Sequence, residues 1–180
     1  MPADVPFNIT SKRSDQVPGM DGTARGESGA ERDGTAFCRV SASNGGAASA
    51  SFELGHCVEN RGQQSAAAEA IFICEYEGSL SETEGTETNT STTYALDLYI
   101  NDTDGRVLKH NPFEAASGDE GPRSGSTRFV EEYLVTLEPG RVYNFVVAGK
   151  VAAKTGAGGQ ADLGIKLKTL QLTIRKTAAE

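Results

Sequence analysis

The sequence has no tryptophan, two histidines and three cysteines in 180 residues. A metal centre of the three-histidine or two-histidine kind cannot be built from His56 and His110 unless Cys57 or carboxylates join them. His56 and Cys57 are chain neighbours, and adjacent residues of a strand point to opposite faces. They therefore form neither a chelate nor a Cys-His nucleophile pair. Cys38, Cys57 and Cys74 are odd in number and far apart, with no CxxC, which argues against a disulfide framework. Basic clusters are absent too: Lys12-Arg13 is the densest pair and the formal net charge is -8, so no nucleic-acid partner is expected. No run approaches the roughly 18 apolar residues of a membrane-spanning helix. "MPADVPFNITSKRSDQ" lacks the basic flank and apolar stretch of a signal peptide, so the expectation is synthesis in the cytoplasm without a bilayer crossing by this chain alone.

Motifs that would name a reaction also fail. The Lys154-Thr155 pair would need glycine at 153 and 148 to make a phosphate-binding loop, and both positions hold alanine. "INDTDG" has part of a calcium-loop pattern, but Ile100 and Asn111 occupy the first and twelfth ligand positions. Asp102 and Asp104 read instead as part of an Asp-Gly turn. Sequons at Asn8, Asn89 and Asn101 are what chance gives a chain this rich in Ser and Thr. Glu131-Glu132 and Glu75 with Glu77 are carboxylate pairs without a visible cleft, and solvated strand faces account for them. No catalytic residue, metal, cofactor or small-molecule substrate is expected, and the chain does not read as an enzyme.

What the sequence does contain is β-structure. Residues 1–34, rich in Gly, Ser, Asp and Arg, read as an extended or disordered N-terminal arm with one apolar island, "VPFNI". From residue 35 onward short alternating segments follow: 37–43, 48–54, 71–77, 94–100, 106–110, 127–137 and 141–151. "SNGG" and "EPG" read as hairpin turns, and "ENRGQQSAAAEA" as the one place for a short helix. Long polar loops are expected at 78–93, 111–126 and 152–162. Cys38 and Cys74 share parity with apolar neighbours and belong in a core. Cys57 is the candidate for exposure and for an inter-subunit disulfide.

The last segment, "LGIKLKTLQLTIRK", alternates as Leu163, Ile165, Leu167 and then, in the opposite parity, as Leu170, Leu172, Ile174. A strand with one buried face cannot slip by one residue unless a bulge absorbs it or the chain corners into a second strand. About eight strands with closed edges give an all-β fold, a single eight-stranded jelly-roll barrel or sandwich over 35–176, with a tail at 177–180.

In size, in mildly acidic composition, in the arm "MPADVPFNITSKRSDQ" and in strands such as "YALDLYI" and "RVYNFVVAGKV", residues 35 to 175 resemble the smaller single-jelly-roll major capsid protein of haloarchaeal icosahedral viruses with an internal membrane. The resemblance implies a capsid subunit located in the virion. It would tile an icosahedral shell as a homo- and hetero-oligomer with a second single-barrel capsid protein, near an internal membrane through other proteins. Val5, Pro6, Phe7, Ile9, Lys12 and Arg13 of the arm are then the candidate assembly contacts. The alternatives are a β-sandwich binding module recognising carbohydrate or protein through its loops, and a virion decoration or fibre protein.

Overall fold

The computed structural model describes residues 6–83, 90–102, 105–116 and 124–176. Val5, the 177–180 tail and the centres of two expected loops lie outside them. Among the described residues ten strands run in chain order: β1 (Ile9–Val17), β2 (Ala24–Ala30), β3 (Ala36–Ser43), β4 (Ala47–Glu59), β5 (Ala66–Thr83), β6 (Ser91–Asp102), β7 (Gly105–Ala116), β8 (Ser124–Leu137), β9 (Val142–Lys154) and β10 (Gln160–Lys176). The expected count was eight. β1 and β2 are the additions, and both come from the segment read as an arm.

The strands form two five-stranded sheets packed as a sandwich, sheet A in the order β1-β4-β9-β6-β7 and sheet B in the order β2-β3-β10-β5-β8. Every pairing is antiparallel. Alternation explains the core: Ala36, Cys38, Val40 and Ala42 of β3 face Phe52 and Leu54 of β4, Leu96 and Leu98 of β6, and Phe145 and Val147 of β9 in one buried cluster. Cys38 and Cys74 are fully buried, and burial pushes the Cys38 thiol up to about 12 and the Cys74 thiol further in the same direction.

From β3 onward the pairing is nested. β3 pairs with β10, β4 with β9, β5 with β8 and β6 with β7, like a long ribbon folded at its middle. Among the described residues two connections join neighbouring strands as hairpins: β2 to β3, with Ala30 opposite Ala36 and the Glu31 N–H donating to the Thr35 carbonyl at 2.8 Å, and β6 to β7, with Asp102 opposite Gly105. The turn at Asn44-Gly45 has positive φ at both residues (48° and 82°), as "NG" dictates, yet it carries the chain from sheet B to sheet A. The "EPG" turn does the same in the step from β8 to β9. Neither is the hairpin expected. The expected helix is also replaced: β5 begins at Ala66, with Ala68 and Ala70 buried on the parity of Phe72. Alanine there fits a narrow interior, and packing outweighs its helical preference.

β10 is one strand with a bulge at Lys168, where pairing to β5 steps from Leu167 opposite Tyr76 to Thr169 opposite Glu75. Leu163, Ile165 and Leu167 before it and Leu170, Leu172 and Ile174 after it are all buried. The energies decide in favour of the bulge: one disturbed rung costs about 1 kcal/mol, whereas turning three apolar side chains outward would cost roughly 1.5–3 kcal/mol each. Lys168 itself points outward, paired with Glu77 and 3.7 Å from Glu75.

Candidate functional site

The sandwich has two differently finished sides, and they organise its surface. On one side β1 and β2, the outermost strands of the two sheets, pack on each other. Ser28 Oγ donates to the Arg13 carbonyl at 3.0 Å, and Gly26 lies so close that a Cβ there would be 2.8 Å from the Ser49 carbonyl oxygen. Only glycine permits that approach. Phe7 is buried, stacked on His56 with ring centroids 4.6 Å apart. Gly34, at φ 98°, crosses next to the Leu170 carbonyl, where a Cβ would be 2.8 Å from the oxygen.

The candidate contact residues of the arm therefore have distinct placements. Phe7 is inside the sandwich, and Ile9 is half-buried opposite Gly55. Pro6, Lys12 and Arg13 are exposed, Lys12 and Arg13 along β1. Cys57 is half-buried and free, and its backbone is clamped by Asn8, whose Oδ1 accepts from the Cys57 N–H at 2.7 Å while Nδ2 donates to its carbonyl at 3.2 Å. His56 Nδ1 is buried without a hydrogen-bond partner among the described residues, and burial lowers its pKa below the ordinary 6.5. Asp102 is engaged by Arg141 at 2.8 Å and by the Gly105 N–H at 3.1 Å. Among the described residues no group of three or more metal-ligating side chains converges.

On the outer face of sheet B, near the closed side, lies an open groove of about 1040 Å³ over β2, β3, β10 and β5. Glu27 sits between Arg25 and Arg39, with Arg39 Nε donating to it at 2.7 Å, and these guanidinium partners, Arg39 first, hold its carboxyl below the usual range. Asp162 and Lys166 line the floor, and Phe37, an exposed aromatic, forms part of the wall. The charges are mixed and largely matched, which suits a polar ligand or a protein surface rather than a strongly charged one.

The other side of the sandwich is open. β7 and β8 end their sheets there, and among the described residues they share at most marginal contact. Past the Lys168 bulge β3 no longer pairs with β10, so sheet B narrows to β10, β5 and β8. Its outer face carries Val130 (54% exposed) and Leu134 (78% exposed) on β8, with half-buried Ile73 opposite Val130 and Ile71 one step on. Sequence reasoning missed this patch. The signal was present: "TRFVEEYLVTL" has apolar residues of both parities, and only Phe129, Tyr133, Val135 and Leu137 are needed inside. Glu131 and Glu132 do not form an acid-base pair. They point to opposite faces, Glu131 towards Tyr133 Oη at 3.3 Å and Glu132 outward to Glu69, whose hydrogen bond and charge raise its carboxyl pKa.

No family model matches the chain, and no curated protein does. Among solved structures it is similar to the enzymatically active domain of tailspike protein 4 of bacteriophage CBA120, with 14% identity and a TM-score of 0.32, covering 91% of this chain. The chain spans 19% of that structure's length. It is also similar to a structure described as "CBM4 structure and function", with 12% identity and a TM-score of 0.26, over 91% of this chain and 86% of the other. Both likenesses are too weak to place the chain in a family.

Proposed function

We propose that this chain is a structural subunit of a virion shell, a jelly-roll barrel that tiles an icosahedral capsid together with a second barrel protein. The nested pairing of β3 to β10 is the pattern that a long antiparallel ribbon makes when it wraps into an eight-stranded jelly roll, an architecture viral capsid domains use. β1 and β2 extend that core at one side. The observation that carries the reading is the apolar outer face at the open side, where Leu134 and Val130 stand in solvent on a terminal strand. Contiguous exposed apolar surface of this kind marks a contact with another protein. In this reading the work is done by area and fit, each neighbour contact burying on the order of 1,000 Å² or more, and the protein catalyses nothing.

Sedimentation of the native source material at high salt tests it. Particles of many megadaltons carrying the chain at a fixed ratio to a second barrel protein are expected, and a free monomer or small oligomer overturns the reading. A non-reducing gel of the same particles tests Cys57 as an inter-subunit disulfide. The groove beside Phe37 favours a second reading, a binding module for a polar ligand such as a glycan. Glycan-array binding abolished by Phe37→Ala would support it, and binding unchanged by that substitution would remove it.

A further inference from the structure

Resting on the assembly reading, the geometry of β8 identifies one partner and its register. β8 is 14 residues long and, among the described residues, pairs on one side only, with β5, without a register shift and without proline. Natural edge strands are usually shortened, bulged or broken by proline to block further pairing. The one inward carboxylate that would serve as a guard, Glu131, is taken up beside the Tyr133 hydroxyl.

The outward residues in order are Arg128, Val130, Glu132, Leu134 and Thr136, on the same face as Glu75, Ile73, Ile71 and Glu69 of β5. Two copies of one strand pairing antiparallel about a twofold axis present the same surface to each other, so each candidate register is fixed by the residue on the axis. With Glu132 on the axis, Glu132 meets its own copy. With Glu131 there, Glu131 does. With Val130 there, Val130 meets Val130, Arg128 of each copy lies opposite Glu132 of the other, and residues 124–136 all gain a pairing position. Glu132 already crowds Glu69, with Arg175 of β10 as the cation acting on it from its own chain. A second copy's Arg128 would supply the missing positive charge.

We propose that a second copy of this chain docks on β8, strand against strand about a twofold axis through Val130, joining the two copies of sheet B into one continuous sheet with two Arg128–Glu132 pairs. The apolar patch then lies on both flanks of the axis, and the ladder groups of β8 that pair with no strand among the described residues are satisfied by the other copy.

Site-specific cross-linking tests the register on the full chain carrying Cys57→Ser, since Cys38 and Cys74 are buried. Val130→Cys should form a covalent dimer under mild oxidation, because side chains directly opposite across an antiparallel pair are close enough for a disulfide. Leu134→Cys should not, because it faces position 126. In sedimentation equilibrium at moderate salt, Arg128→Glu and Glu132→Arg should each weaken self-association by roughly tenfold or more, and the double charge swap should restore it. Cross-linking at Leu134 in place of Val130, a monomer at all concentrations, or a double swap no better than the single variants overturns the proposal. Particles that form while Val130→Cys stays uncoupled leave the shell reading standing and remove this interface. A cross-linked dimer that never enters particles does the reverse.

Discussion

At the β1/β2 side the two terminal strands cover each other, a buried phenylalanine plugs the seam, and glycines allow backbone to touch backbone. At the β7/β8 side the terminal strands barely meet among the described residues, and one of them turns leucine and valine to solvent. A β-sandwich has the same problem at each side, a row of unpaired backbone groups beside an apolar interior. At the closed side β1 and β2 cover the interior together and meet part of the backbone requirement through side chains, Ser28 Oγ donating to the Arg13 carbonyl and Gln16 Oε1 accepting from the Gly26 N–H. The open side has no such cover among the described residues, so the proposed self-association belongs to that side and the larger share of folding stability is expected from the other.

Removing residues 1–34 should break the comparison most severely, because it converts the closed side into a second open one. β3 and β4 would become terminal strands, and the Phe7 plug and the Gly34 turn would be lost. The loss should exceed about 5 kcal/mol, on the scale of a whole domain's stability. Circular dichroism should show no cooperative unfolding transition. A truncated chain that melts like the full one would mean that β1 and β2 are ornaments on a self-sufficient barrel.

A narrower break is Phe7→Ala. The side chain is 6% exposed, and truncating a buried phenylalanine costs about 3–5 kcal/mol where the surroundings cannot collapse into the space. The lower end is expected here, since Phe7 sits at the seam rather than the centre. Urea denaturation should show a lowered midpoint with an unchanged slope. Lys12→Ala, also in this segment but exposed, should leave the midpoint where it is, and equal effects of the two substitutions would refute the plug.

How much of this was readable beforehand follows from where the apolar residues are. Strands with one buried face announced themselves, and the slip between Leu167 and Leu170 was legible as either a bulge or a corner, which the continuous pairing of β10 with β5 resolves as a bulge that keeps six leucines and isoleucines in the same core. β1 was not legible: in "ITSKRSDQV" eight of nine residues are exposed and Ile9 is half-buried, so its place in the sheet comes from backbone pairing with Ala47–Gly55, which leaves no hydrophobic period. Sheet membership was also hidden. Asn44-Gly45 fixes a local reversal but not whether the next strand pairs beside the last or crosses to the other sheet, and that is settled by β2 and β10 taking the two edges of β3. The apolar patch was concealed in a strand whose two faces are both apolar, where alternation cannot say which face is outside.

The smallest expected effect sharpens the comparison through pH, because the two sides titrate with opposite sign. His56, behind the Phe7 plug, has a pKa lowered by burial. Its neutral form is the one the fold holds, so the stability it contributes is present above the ordinary 6.5 and is lost as pH falls through the lower folded value. Glu132, on the open side, has a pKa raised first by the hydrogen bond and charge of Glu69 and then by burial, with Arg175 opposing. Its protonated form is favoured in the fold, so its contribution is present below the ordinary 4.5 and is lost as pH rises through the higher folded value, when both carboxylates ionise side by side. His56→Phe should therefore gain melting temperature relative to the parent as pH is lowered from 7 to 5. Glu132→Gln should gain at pH 7 and lose that gain by pH 4, with melting followed at protein concentrations too low for self-association. The Glu132 effect should be the smaller, because both carboxylates are near solvent and salt screens them. A gain for Glu132→Gln that is the same at both pH values would show that the Glu69 contact does not govern its titration, and would leave Glu132 with no excess negative charge for a second copy's Arg128 to neutralise.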